Sequence, residues 1–268
     1  MKRLTVVCNY KQIEEVMSLL TQERHRLILE LVNEKSIVKV QELVEQTNTS
    51  ESTIRRDLQL LEEQNLIKRI HGGASLPQGN RNELGIPEKS TKNLQEKMSI
   101  AEYSASLVNQ GECIYLDAGT TTFQMIEFLK GKDIVVVTNG LTHIDLLLEH
   151  NINTYLVGGY IKSKTRALIG SGALASLKQY SFDKCFMGVN GVHYRYGYTT
   201  PDPEEALIKQ TAIQLSRQSY FLADTSKFGE VAFSKIVDLD KAQLITTESN
   251  VEVLAPYESK TTIKVVVT

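Results

Sequence analysis

The sequence predicts a multidomain chain, a small α/β unit carrying a helix-turn-helix followed by a larger α/β unit with a mainly parallel sheet. Three observations carry that expectation. Ser50 to Gln64 is apolar on one side only, a polar stretch with two prolines and two glycines follows at 75–92, and seven short apolar runs then alternate with helix-length segments. At 268 residues and 41% hydrophobic, the chain has material for two cores.

Formal net charge is −2 and the pI about 6.3. Contact with nucleic acid must therefore come from a local basic cluster and not from the field of the whole chain. Cys8, Cys113 and Cys185 are odd in number and widely separated, which argues against a disulfide framework or a zinc site and suits a reducing cytoplasm. His143 and His150 lie about 10 Å apart along a helix axis, too far to share an ion easily. We expect no metal and no cofactor. No apolar run approaches the roughly 18 residues of a membrane helix, and MKRLTVVCNYKQIEEV has too short an apolar run for a secretory signal.

Two readings of residues 1–16 stay open. Met17 begins MSLLTQERHRLILELV, a natural start for an amphipathic first helix with Leu27, Leu31 and Val32 on one face. Residues 1–16 are then an upstream extension set by start-codon choice, with Glu14-Glu15-Val16 encodable by a purine-rich ribosome-binding sequence. Alternatively they form a genuine flexible arm or extra helix.

The small unit is expected over 17–74. Arg24 to Glu34 reads as a first helix, Ile37 to Val40 as a short extended piece, and Gln41 to Gln46 as a short helix with Leu43 and Val44 inward. Thr47-Asn48-Thr49 supplies a turn, and Ser50 an N-cap. In the helix that follows, Ile54, Leu58 and Leu61 form the apolar stripe, while Ser52, Arg55, Arg56 and Gln59 fall on the opposite side. That order places the last helix in a major groove, its first residues at the base edges. Leu66 to Ile70 alternates like a strand and His71-Gly72-Gly73 closes it, a two-stranded wing whose Lys68 and Arg69 suit phosphates. The candidate DNA contacts are Ser50, Ser52, Thr53, Arg55, Arg56, Gln59, Lys68, Arg69 and His71. A lone Arg-Arg pair on a helix is usually a solvated face; the cap, turn, preceding helix and basic wing together argue otherwise.

The words S-x-x-T-I-R-R-D-L and K-R-I-H-G-G-A, in that order, resemble the winged helix-turn-helix of the DeoR family of bacterial sugar-catabolism regulators. Asn65 departs mildly from the glycine more usual there, and asparagine also tolerates a left-handed cap.

Residues 75–92 read as a mobile linker, and 93–268 as the larger unit. Asn93 to Asn109 is helical, and strands are expected at Cys113–Leu116, Ile134–Val137, Thr154–Val157, Phe182–Met187, Tyr220–Ala223, Leu244–Thr246 and Ile263–Val267. Ligands of parallel sheets sit beyond the carboxyl ends of the strands. Those ends share a chemistry: Asp117-Ala118-Gly119-Thr120-Thr121-Thr122, Thr138-Asn139-Gly140, Gly158-Gly159, Gly188-Val189-Asn190-Gly191 and Asp224-Thr225-Ser226-Lys227. Glycines admit an anion to backbone N–H groups and threonines add donors, so a phosphate fits at DAGTTT. Asp117, Asn139 and Asn190 suit sugar hydroxyls, and Lys209 or Lys227 suits the phosphate charge. Singly these signals are weak. A Gly-Thr turn is more often plain capping, and Glu205 with Lys209 on the Pro203 to Arg217 helix more often a surface pair.

DAGTTT, VVTNG, LVGG, F-M-G-V-N-G-V, G-Y-T-T-x-D-x-E-E-A-x-x-K and L-A-D-T-S-K-F resemble the effector domain of the same family, a domain similar in fold to ribose-5-phosphate isomerase. The resemblance implies phosphate contacts from Gly119, Thr120 and Thr121. It implies sugar or phosphate contacts near Asn139, Gly158, Gly159, Asn190, Glu205, Lys209, Asp224 and Lys227, and the strand-end pattern adds Asp117, Thr122, Thr138 and Gly191.

The expected function is repression of a sugar-utilisation operon, with double-stranded operator DNA, a phosphorylated sugar and further copies of the chain as partners, and no membrane. Two rivals remain: an isomerase-like enzyme carrying a DNA-binding domain, with Glu205 or Asp117 as base, and a DNA-binding module whose large domain only oligomerises.

Overall fold

The computed structural model describes residues 10–35, 37–64, 66–70, 72–75 and 85–267. Asn65 and His71, named above, lie outside the described residues, as do 1–9 and 76–84. The chain divides into two compact units, Met1–Gly79 and Asn80–Thr268.

The first unit runs α1 (Tyr10–Lys35), β1 (Ile37–Lys39), α2 (Val40–Thr47), α3 (Glu51–Glu63), β2 (Lys68–Ile70) and β3 (Gly73–Ser75). Helix α1 begins well before Arg24, so residues 10–16 are helical. Helix α2 ends where Asn48 turns left-handed at φ 49°. Ser50 then caps α3, its hydroxyl accepting from the Thr53 amide at 3.2 Å. The stripe of Ile54, Leu58 and Leu61 is buried against Ile28, Val32, Leu43 and Ile67. The inward face of α1 is thus Ile28 and Val32, with Leu31 only partly buried, one position away from the expected Leu27. The wing also differs: β1 joins it, giving an antiparallel sheet of order β1-β3-β2 where two strands were expected. Gly73 permits this pairing, because a Cβ there would lie 2.1 Å from the Val38 carbonyl oxygen.

In the second unit, α4 (Ile86–Thr91) falls inside the segment read as linker; it starts at Gly85-Ile86-Pro87, with proline in the first turn where its missing N–H costs nothing. There follow α5 (Leu94–Ser106), β4 (Cys113–Leu116), α6 (Thr120–Met125), β5 (Val135–Thr138), α7 (Ile144–Glu149) and β6 (Asn153–Leu156). Next come β7 (Tyr160–Lys162), β8 (Ala167–Ile169), α8 (Gly170–Leu177), β9 (Phe182–Gly188), β10 (Gly191–His193) and β11 (Gly197–Thr200). The chain ends with α9 (Pro203–Gln214), β12 (Ser216–Ala223), β13 (Ser234–Val237), β14 (Gln243–Thr246), α10 (Val251–Glu258) and β15 (Ile263–Val265).

All seven expected strands meet in one sheet of order β15-β14-β12-β9-β4-β5-β6. Every pairing in it is parallel. Alternation along each strand feeds two cores. Ile114, Leu116, Val136, Phe186 and Leu222 pack with Ile100 and Ala101 of α5 and Met125 of α6. Tyr115, Val137, Cys185, Met187 and Phe221 pack on the other face with Leu177 of α8 and Ile208 and Ala212 of α9. Two small antiparallel groups, β10-β11-β13 and the hairpin β7-β8, were not anticipated. The chain builds β4, β5 and β6 in one direction, then returns to lay β9 on the other side of β4. The strand order therefore reverses between β4 and β9, where open α/β sheets form their ligand crevice.

Candidate functional site

In the small unit, one helix separates two tasks. Arg55 and Arg56 are exposed, whereas the next residue, Asp57, is only 3% exposed. Asp57 accepts from Arg24 Nη2 at 3.0 Å and meets His25 Nε2 at 3.0 Å, binding α3 to α1. Burial alone would raise the Asp57 carboxyl; hydrogen bonds and charge from Arg24 and His25 outweigh it and hold the pKa below the usual value. Sequence reasoning missed this residue.

The outward face is partly self-bonded. Arg55 bonds Glu51 at 2.6 Å and Gln59 bonds Glu63 at 3.1 Å, exposed contacts that DNA phosphates can displace. Arg56 makes no side-chain hydrogen bond or ion pair among the described residues. Ser50 Oγ lies 2.9 Å from both Ser52 Oγ and Thr53 Oγ1, so the capping hydroxyl is already engaged. Lys68 and Arg69 are exposed on β2, and the Arg69 amide is fixed by Glu62 at 2.7 Å.

In the large unit, the polar strand ends gather around the switch point. Asp117, just past β4, is buried; it pairs with Lys209 of α9 and accepts from the Gly188 amide at 3.1 Å, spanning β4 and β9. Asn139 is almost wholly buried and fully engaged: its Oδ1 accepts from Tyr115 Oη and from the Ala118 amide, both at 2.9 Å. Thr122 donates to the Asp117 carbonyl at 2.6 Å, and the Thr138 hydroxyl accepts from the Gly140 amide at 2.9 Å. These three side chains shape the loops from inside. His143, beneath them, stands 3.3 Å from Thr122 Oγ1, and burial pushes its pKa down to about 4 despite the opposing charge of Asp117.

Thr120 and Thr121 open α6, where first-turn amides lack intrahelical acceptors. Gly158 has open space around its Cα, while Gly159 packs against the Ile169 carbonyl and Ala173. Gly191 is pressed against the Glu230 carbonyl, and Asn190 accepts from Thr200 at 3.1 Å. Asp202 caps α9, accepting from the Glu204 amide at 2.8 Å. Glu205 in its first turn accepts from Lys162 at 3.0 Å and Thr165 at 2.8 Å, both on the β7-β8 hairpin.

Beyond β12, Asp224 draws in groups that the sequence kept apart. It accepts from Asn93 Nδ2 at 2.8 Å and from the Ser226 amide at 3.1 Å, with Lys227 Nζ at a loose 3.9 Å. Lys97, on the inner face of α5, is only 4% exposed. Burial pushes its pKa below the usual lysine value, Asp224 counters, and Lys227, Lys89 and Lys92 push it further down. Lys227 is lowered in the same way, by burial first and then by Lys92 and Lys89 against Asp224 and Glu230. Lys97 had no sequence signal beyond an amphipathic helix; only the fold shows a lysine on the buried side. Helices α4 and α5, which carry Lys89 and Lys97, both pack against α6, the helix that Thr120 and Thr121 open.

Residues 92–249 match the family model of the DeoR C terminal sensor domain, and residues 24–79 that of the DeoR-like helix-turn-helix domain. The chain belongs to the DeoR family. This DeoR-family protein is 53% identical, over 92% of its length and 99% of the relative's, to the uncharacterized HTH-type transcriptional regulator FruR of Bacillus subtilis. It is 34% identical to a lactose phosphotransferase system repressor of Staphylococcus epidermidis, over 83% of this chain and 90% of that one. Ribose 5-phosphate isomerase A of Neisseria gonorrhoeae overlaps 49% of this chain and 52% of its own at 19% identity, with a TM-score of 0.37. That overlap is too partial to bear on activity. Among the described residues of the DeoR-family chain, no helix is long and apolar enough to cross a membrane, and no three His, Cys, Asp or Glu residues gather to hold a metal.

Proposed function

We propose that this DeoR-family protein represses a sugar-utilisation operon from the cytoplasm and leaves its operator when a phosphorylated sugar binds at the switch point of the large sheet. Residues 17–74 read the DNA, 75–92 join the units with α4 as an ordered part, and 93–268 hold the effector. The observation that carries the effector half is the buried ammonium of Lys97, 4% exposed and bonded to the Lys89 carbonyl, which shares Asp224 with the half-buried Lys227. Burying an ammonium is costly, and a phosphate dianion beside Lys97 and Lys227 offsets that cost. Thr120 and Thr121 offer amides to the same anion, and Asp117, Lys209, Asn190 and Glu205 line the side where sugar hydroxyls extend. Effector affinity must differ between two arrangements of the protein to change DNA affinity, and paired half-sites call for paired chains.

The isomerase reading needs a carboxylate free to take a proton. Asp117 is buried against Lys209, and Glu205 is held by Lys162 and Thr165, which supports a binding role for both.

Thermal shift with inorganic phosphate, unphosphorylated sugars and a panel of sugar phosphates tests the reading. The account expects stabilisation by one or a few sugar phosphates and its loss in Lys97→Met. Equal stabilisation by the free sugars, an unchanged response in Lys97→Met, or interconversion of isomers by the purified protein contradicts it.

A further inference from the structure

The seven-stranded sheet has two outer strands, β6 and β15, and they are protected very differently. Natural edge strands are blunted by charge, proline or a covering element, because an open edge templates pairing with another chain. Strand β15 carries the exposed Lys264 at its centre. Strand β6 has neither charge nor proline, and the chain carries none from Asn151 to Ile161. Its exposed residues include Tyr155 and Leu156, and the adjoining β7 adds Tyr160, the most exposed of these at 68%, and Ile161. With Leu141 and Leu148, six of the sixteen exposed large hydrophobic residues among the described residues fall between positions 141 and 161. Tyr155 is also held in place, its ring 5.6 Å from Tyr180, whose ring stacks on Phe182. A rigid, backed aromatic on an open edge is the kind of anchor that interfaces use.

We infer that the β6 edge, with the β7 face of the adjoining hairpin, is where a second copy of this chain docks, by antiparallel pairing of the two β6 strands about a two-fold axis. The inference rests on the proposal that the protein works as an oligomer, and it names the surface. An edge is its own complement under such an axis. Centred on Asn153–Leu156, the pairing sets Thr154 against Tyr155 of the partner subunit and Asn153 against Leu156 of the partner subunit, with no charge facing another. The same operation on β15 sets Lys264 against its own copy, a like-charge pair directly opposite, which is destabilising. Charge therefore selects β6 over β15. The docking face also reaches the effector site through one hairpin, since Lys162 and Thr165 hold Glu205.

Sedimentation equilibrium of the full chain tests the inference with Tyr155→Lys and Tyr160→Lys, both at positions more than half exposed, and Val265→Lys as the control on the other edge. We expect the wild type and Val265→Lys to share one oligomeric mass and the two tyrosine variants to fall to half of it. Unchanged mass in folded tyrosine variants overturns the docking face while leaving the oligomer standing; a monomeric wild type overturns both. Hydrogen exchange on the wild type needs no variant: the amides of Asn153–Leu156 should slow as concentration rises through association while those of Ile263–Val265 do not. Absence of that difference overturns the inference.

Discussion

Arg55, Arg56 and Asp57 are consecutive, yet α3 sends the first two into solvent and the third into a buried contact with Arg24 and His25. The outward pair was legible because the Ile54, Leu58, Leu61 stripe fixes which side of the helix faces the body. Asp57 was not, because a charge beside two arginines reads as surface until its partners, more than thirty positions away, are brought to it by folding. Arg56→Ala should weaken operator binding by about 1–3 kcal/mol if it reads a base, and should give a shallower salt slope if it holds a phosphate. Titration of a labelled operator at several stated salt concentrations distinguishes the two, and unchanged affinity removes Arg56 from the interface. Asp57→Asn should destabilise the small unit by about 3 kcal/mol, since it leaves Arg24 without its buried partner. The folded pKa of Asp57 lies below its unfolded value of 3.8, so its contribution is present above that value and lost as pH falls through the folded pKa. Hydrogen exchange resolved to α3 reads both effects.

Short apolar runs located all seven strands of the large sheet: an inner strand such as β5, buried on both faces, reads as unbroken Val135-Val136-Val137, whereas the edge strands β6 and β15 are largely exposed and more mixed. The β7-β8 hairpin and β10-β11-β13 escaped notice: Tyr160-Ile161-Lys162 and Gly197-Tyr198-Thr199-Thr200 are too short and mixed to carry a period. The strand ends were correctly singled out as polar, but sequence could not separate side chains that shape a loop from those that face its ligand. Asn139, Thr122 and Thr138 have their hydrogen bonds engaged inside the fold, and His143 packs beneath them so closely that a Cβ on Gly140 would lie 2.7 Å from its Nδ1. His143 is buried and neutral. Its folded pKa of about 4 lies below the ordinary 6.5, so the unfolded chain binds the extra proton between those values. The large unit should therefore hold its full stability above pH 6.5 and lose about 2 kcal/mol of it on going from pH 7 to pH 5. Urea midpoints at the two pH values check this, and His143→Gln should flatten the dependence. An equal loss in the variant would show that another group is responsible.

At the scale of the whole molecule, a helix-turn-helix unit is joined to a parallel sheet whose strand ends carry the Asp117–Lys209 pair and the group of Lys97, Asp224 and Lys227. The two units have separate cores, so damage to one need not reach the other. Lys227→Met should leave operator affinity within about twofold of wild type, a difference below 0.5 kcal/mol, while abolishing the response to effector. Loss of DNA binding in that variant would contradict the separation. The measurement that tests the central claim most directly is fluorescence anisotropy of the full chain on a labelled duplex from upstream of its own operon. It is made at fixed salt and titrated with sugar phosphates and the matching free sugars. The account predicts tight binding that one phosphorylated sugar reverses and its unphosphorylated form does not. Binding indifferent to every compound, or released equally by the free sugar, would contradict it.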